Sequence, residues 1–151
     1  MTELANTYFY TGHYAESEAL NLRILDDDRR AYGDRNANLS VDLINLGNVE
    51  MQWGYYQAAE RYLRQELEID RSWYGLQNGE TGDAMTIFAQ ALVREGRYQE
   101  ASGLLNNSLV IEENAYGKLH PRVAMALGEL GKIALHKQYL DEAEADFSRE
   151  E

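Results

Sequence analysis

Residues 46–69, LGNVEMQWGYYQAAERYLRQELEI, decide the fold. Leading into this stretch, Leu39, Leu43, Leu46 and then Glu50 or Met51 recur at three- and four-residue spacing, which puts them on one face of a helix. After Gly54 the same period restarts with Tyr56, Ala59, Leu63 and Leu67. A glycine between two helical periods marks where the first helix stops, because it enters the left-handed conformation of a C-terminal cap without a Cβ clash. The unit is therefore helix, tight turn, helix.

That unit recurs. AYG at 31–33, WYG at 73–75 and AYG at 115–117 are spaced by 42 residues. At the same interval Gly12, Gly54 and Gly96 align, with Gln138 in the fourth place, followed by Tyr14, Tyr56, Tyr98 and Leu140. Ser17, Ala59, Ala101 and Ala143 form another column, as do Leu4, Leu46, Phe88 and Leu130, each followed by a small residue (Ala5, Gly47, Ala89, Gly131). Leu25, Leu67 and Leu109 agree as well. So many coincident columns predict an array of about three and a half copies, with bounds near 1–33, 34–75, 76–117 and 118–151 and the outer two truncated. The chain is expected to close inside a second helix that has just reached Phe147, as a piece of a longer protein would. The small residues let paired helices approach closely. Tyr32, Tyr74 and Tyr116 fall at the far ends of the second helices, where their rings are expected to cover the junction with the next copy. In YGKLHPRVAMAL, Pro121 suits the first turn of the following helix, where its missing N–H costs nothing.

Composition narrows the possible functions. Only one proline interrupts a helix-favouring composition, and 44% hydrophobic residues can build a continuous core. No apolar run is long enough for a membrane span, and no N-terminal stretch reads as a signal peptide, so a cytoplasmic location is expected. The absence of cysteine excludes disulfides, thiolate metal sites and thiol catalysis. A net charge of −12 disfavours nucleic acid as a partner. Within it, the run Asp26-Asp27-Asp28-Arg29-Arg30 reads as a solvated face. His13, His120 and His136 show no ligand spacing that would predict a metal site, and no nucleophile, phosphate-loop or dinucleotide motif is present. No cofactor and no catalysis are expected.

The stretch 46–69, with YGKLHPRVAMALGELG joining copies, resembles a tetratricopeptide repeat of the longer variety found in kinesin light chains and many bacterial regulatory proteins. The resemblance spans essentially the whole chain, although Asn21 stands where a large apolar residue is usual and only the third junction keeps His120-Pro121. It implies an all-α fold, a right-handed superhelical solenoid of antiparallel helix pairs. It also implies a groove, lined by the first helix of each copy, that binds a peptide or partner protein. Stacked pairs curve because each copy is rotated against the last, which leaves a concave surface open.

Equivalent first-helix positions then form ladders along it: Asn6, Asn48, Gln90 and Lys132, and beside them Tyr10, Gln52, Arg94 and His136. Asn45 and Thr86 complete the candidate groove. Amides both donate and accept, so a row of them can engage an extended peptide main chain whatever its side chains. Arg94, Lys132 and His136 favour a ligand with acidic character at one end. The paired lysines that would hold a free C-terminal carboxylate are missing, with Thr2 and Thr86 in their places. The leading expectation is a non-catalytic interaction module, the regulatory or scaffold part of a larger bacterial signalling protein. Self-association through uncapped ends is an alternative, and a small-molecule sensor a further one.

Overall fold

The computed structural model describes the backbone of residues 1–147 and the side chains as far as Leu140. Its elements are α1 (Thr2–Tyr10), α2 (Tyr14–Tyr32), α3 (Asn38–Trp53), α4 (Tyr56–Tyr74), α5 (Gly79–Arg94), α6 (Tyr98–Tyr116) and α7 (Pro121–Phe147). Each helix packs on the next in chain order, and the first helices of successive copies, α3, α5 and α7, also touch one another. The predicted all-α array of helix pairs is what the chain forms. Its period is visible in the second helices, which all begin and end on tyrosine and are 19 residues long.

The turns follow the glycine column. Gly54 sits at φ 93° and ψ 7°, and its N–H donates to the Glu50 carbonyl at 3.0 Å, closing α3. Gly12 and Gly96 share that positive φ. Within the pair, a Cβ on Gly47 would come within 2.6 Å of the Leu63 Cδ2, so the missing side chain sets how closely α3 and α4 approach. Ala5, Ala59, Ala89 and Ala101 are likewise fully buried. Pro121 opens α7, as its position predicts.

Two expectations fail. The fourth turn is absent: α7 runs unbroken for 27 residues through Gln138. A side chain at this position makes the left-handed turn unfavourable by about 1–2 kcal/mol, so continuing the helix is the cheaper course. Leu140 therefore extends α7 instead of opening a second helix. The side chains of Ala143 and Phe147 lie outside those described.

The junction tyrosines also diverge. Tyr116 packs over Gly79, stacks on His120 with ring centres 4.7 Å apart, and lies under the Arg122 guanidinium at 5.3 Å. Tyr32 and Tyr74 are instead 53% and 42% exposed. Ala37 holds the register of Gly79 one copy earlier, and the Cβ that Gly79 lacks would collide with the ring.

The interior is unusually polar. Asn21 is 2% exposed, and among the described residues its one side-chain hydrogen bond, 3.4 Å to the Ser17 Oγ, leaves the amide oxygen without a partner. Leu63 and Leu105 occupy the same register in the next copies and are fully buried. Several carboxyls are buried as well. Burial, and then the charge of Asp70, push Glu66 up to about 9. Burial and then Glu18 raise Glu50 to about 7, and burial and then Asp28 raise Asp42 to about 6. Asp70 accepts from the Ser40 hydroxyl at 2.5 Å, and Glu112 accepts from the Thr86 hydroxyl at 2.7 Å. Asp28, the last acid of the charged run, is only half exposed and turns toward Asp42, so that run is not wholly a solvated face.

Replacing Asn21 with leucine should stabilise the chain by about 1–3 kcal/mol, since it removes an unsatisfied buried amide and restores the apolar column. Urea denaturation checks this, and a loss of stability would count against the packing. The carboxyls make a second forecast. A carboxyl whose folded pKa is raised binds its proton more tightly in the fold. Its contribution is complete below the ordinary value, 4.5 for glutamate, and is lost as pH climbs toward about 9 for Glu66. The thermal midpoint should therefore fall between about pH 5 and about pH 8.5. Glu66→Gln should flatten that slope and raise the midpoint at the alkaline end by several degrees, at roughly 2–4 °C per kcal/mol.

Candidate interaction surface

The first helix of each copy buries two faces and leaves one stripe open. On α3 the open stripe is Val41, Asn45, Asn48 and Gln52, at steps of four, three and four, between the buried Leu43, Leu46, Val49 and Glu50. The same register on α5 is Asp83, Ile87, Gln90 and Arg94, and on α7 it is Met125, Glu129, Lys132 and His136. On α1 it is Glu3, Asn6 and Tyr10, the last 83% exposed. α5 is nearly engulfed by its neighbours, so there the stripe narrows to the half-buried Ile87 and Gln90 and the exposed Arg94.

Nine of the ten residues singled out in the sequence lie on this stripe. Thr86 does not. It is completely buried, and its hydroxyl lies 2.9 Å from the Ser108 Oγ and 2.7 Å from the Glu112 Oε1, inside the α5–α6 contact. One residue before Ile87, it falls about 100° around the helix from the open stripe. It braces two helices and offers nothing to a ligand.

Asn21, Asn36, Asn78 and Asn106 are all engaged in hydrogen bonds within the chain. Asn6, Asn45, Asn48, Gln52 and Gln90 form no side-chain hydrogen bond with the described residues, so their donors and acceptors face outward. Amides without a side-chain hydrogen bond to the described residues also occur off the stripe, at Asn38, Gln57, Gln77, Gln99, Asn107 and Asn114. The basic end is narrower than its sequence suggests. Lys132 donates to Glu129 at 2.7 Å, and His136 lies against the Tyr98 ring at 4.2 Å between centres. Among these three, Arg94 alone forms neither an ion pair nor a ring contact with the described residues.

Arg94 also borders a feature that no sequence signal announced. A cleft of about 860 Å³ opens between the α3–α4 and α5–α6 turns, lined by Tyr55, Tyr56, Arg61, Arg94 and Arg97 among others. Arg97 is held there by Glu60, Glu95 and Glu100 at 2.8, 3.0 and 2.7 Å, and hydrogen bonds to these carboxylates raise its pKa further. The spacing of Glu60 and Arg97 across two copies gives no local pattern to read. At the α5–α7 junction Arg122 pairs with Asp83, and the Tyr116 hydroxyl lies 3.4 Å from the same carboxylate.

Comparison with known proteins places this arrangement. Residues 1–72 match the tetratricopeptide repeat family model. The whole architecture superposes on two structures of a Podosopora anserina protein described as a kinesin light chain with nearly identical TPR-like repeats. One, of a variant form, gives a TM-score of 0.81 at 21% identity, covering 94% of this chain and 67% of that one. The other gives 0.80 at 20% identity over the same shares. The chain is similar to these kinesin light chain-like repeat structures in fold, a stack of helix pairs whose first 72 residues match the tetratricopeptide repeat model. BtubC (BKLC) from P. vanneervenii shares the tetratricopeptide fold with a TM-score of 0.79 at 18% identity, over 98% of this chain and 59% of that one. No curated protein matches by sequence. Tetratricopeptide arrays serve in general as protein–protein interaction modules and are generally non-catalytic. Among the described residues, no helix is long and apolar enough to cross a membrane.

If Lys132 is neutralised by Glu129 and Arg94 is free, only Arg94 should control attraction of acidic peptides. Arg94→Ala should weaken binding of a polyglutamate probe several-fold at low salt, while Lys132→Ala changes it little. Fluorescence anisotropy checks the pair, and equal effects would refute the asymmetry.

Proposed function

We propose that this array is a non-catalytic interaction module that holds an extended peptide segment of a partner protein along the concave face of α1, α3, α5 and α7. The observation that carries this reading is the run of outward-facing amides at Asn6, Asn45, Asn48, Gln52 and Gln90. An extended peptide presents alternating carbonyls and N–H groups that helices and sheets do not occupy, and amides match both. Ile87 and Met125 supply apolar contact along the same stripe, and Arg94 gives acidic ligands a preferred end. The ligand needs no free C-terminus, because Thr86 lies in the core and cannot supply a carboxylate contact.

The module works as the regulatory or scaffold part of a larger cytoplasmic signalling protein. Supporting this is the repeat architecture itself, which suits a scaffold.

Peptides selected from a random-sequence display library against the chain provide the test. Asn48→Ala combined with Gln90→Ala should lower their affinity by about tenfold or more, the equivalent of two lost hydrogen-bond pairs at roughly 0.5–1.5 kcal/mol each. Helix content by circular dichroism should not change. Unchanged affinity in the double variant would rule the amide row out as the binding site.

A further inference from the structure

The cleft beside Arg94 departs from the repeat in one direction. Its lining draws on the α3–α4 turn, the start of α4 and the α5–α6 turn. Arg61 stands there in the register of Ala19 and Gly103, and Arg94 in the register of Tyr10 and Gln52. Ala58, also in the lining, takes the place that Glu16 and Glu100 hold in the flanking copies. Each of these differences adds a positive charge or removes a negative one, within a chain of net charge −12. Packing does not call for them, because the flanking copies form the same helix pairs with neutral or acidic residues at those places.

The added charges are also uncompensated. Arg97, a further guanidinium of the lining, is held by Glu60, Glu95 and Glu100, so the acid that lines the cleft, Glu95, is already neutralised at 3.0 Å. Arg61 and Arg94 form no ion pair and no side-chain hydrogen bond with the described residues. Glu50 feels the charge of Arg61 but does not pair with it. Free guanidiniums occur elsewhere, at Arg23, Arg35 and Arg71, but Arg61 and Arg94 border one cavity of about 860 Å³. Two such groups on one space attract a dianion more strongly than a single carboxylate, and each planar fork can bond two oxygens of a tetrahedral group. At neutral pH a phosphate monoester carries a charge of about −1.5 to −2 and three acceptor oxygens. Tyr55, more than half exposed, gives the carrier of that phosphate a surface to lie on.

We propose that this cleft binds a phosphorylated side chain of the partner peptide, with Arg61 and Arg94 as its two cationic contacts. The site rests on the peptide-binding reading of the stripe and extends it, since Arg94 belongs to both surfaces: it ends the stripe on α5 and borders the cleft. Arg61 lies on α4, off the stripe. A peptide running along the stripe therefore meets Arg94 alone, and only a side chain that enters the cleft meets both. Phosphorylation of one residue near that end of the peptide strengthens binding, so the modification state of the partner becomes what the array reads.

A library-selected peptide carrying serine at each position in turn, with and without phosphate, provides the test by fluorescence anisotropy at low salt. Phosphorylation at one position, or at two neighbouring ones, should tighten binding about tenfold or more, and glutamate there should give only part of that gain. Lowering the pH from about 7.5 to about 5, through the second phosphate pKa of about 6, should cut the gain several-fold. Arg61→Ala and Ala58→Glu should each cancel it. Both place at their position a residue that a flanking copy already carries, so the helix pair tolerates them, and circular dichroism checks that it does. Asn48→Ala combined with Gln90→Ala separates the two readings: it should weaken phosphorylated and unphosphorylated peptides alike and leave the gain intact. A gain that survives Arg61→Ala and Ala58→Glu would overturn the proposal. So would the lack of a gain at every position, an outcome that leaves the amide row untouched. If phenyl phosphate shifts the Arg61 and Arg94 Nε–H resonances while peptide phosphorylation gives no gain, the cleft serves a free phosphate ester and the proposal falls.

Discussion

The close approach of two helices at a position with almost no side chain is the contact on which the rest depends. Gly47 against Leu63 shows it most plainly: one added carbon would drive α3 and α4 apart. Repeated at Ala5 and Ala89, the contact fixes the spacing within each pair. Fixed spacing within pairs brings successive first helices into register, so that α3, α5 and α7 touch. That register aligns Asn48 with Gln90, and Gln52 with Arg94, on a common open stripe. The candidate site is thus what remains uncovered once the helices have satisfied one another, and no loop builds it.

The packing absorbs more charge than such a stack requires. An acid-rich chain of net charge −12 would ordinarily keep its carboxylates in water, yet Glu66 and Glu112 are almost completely buried. Thr86 donates to Glu112 and Ser40 to the buried Asp70, while burial raises Glu66 far enough to favour its neutral form, so these carboxyls act as hydrogen-bonding groups more than as charges. One consequence is local. The basic residues that sequence alone assigns to the ligand are partly consumed by neighbouring acids, as Lys132 is by Glu129. The positive character of the groove contracts to Arg94 and the cleft beside it.

Much of the site was legible because the repeat period carries side-chain direction with it. Once Asn48 is known to face outward, Asn6, Gln90 and Lys132 follow at steps of 42. Thr86 shows where the reasoning fails. Sharing a helix with Gln90, it was assigned by analogy with a clamp position, whereas it sits on the edge of the stripe that α6 covers, against Ser108 and Glu112. The cleft at Tyr55, Arg61 and Arg97 was invisible for a different reason: its lining comes from turns of two copies, and Arg97 is oriented by Glu60, 37 residues earlier.

By itself the sequence determined the helix pair as the unit, the glycine-ended turns and the face that most first helices leave open. These follow from local periodicity and from the conformational freedom of glycine, both written residue by residue along the chain. Only the tertiary structure decided that the fourth pair remains a single rod, that Tyr116 closes its junction while Tyr32 and Tyr74 stay in water, and that Glu66 and Asp70 face one another inside. Each of those outcomes depends on which side chain from a distant copy arrives at a given point. A repeat pattern specifies where equivalent residues will meet, but non-equivalent ones, such as Ala37 in place of Gly79 or Gln138 in place of glycine, are resolved by contact.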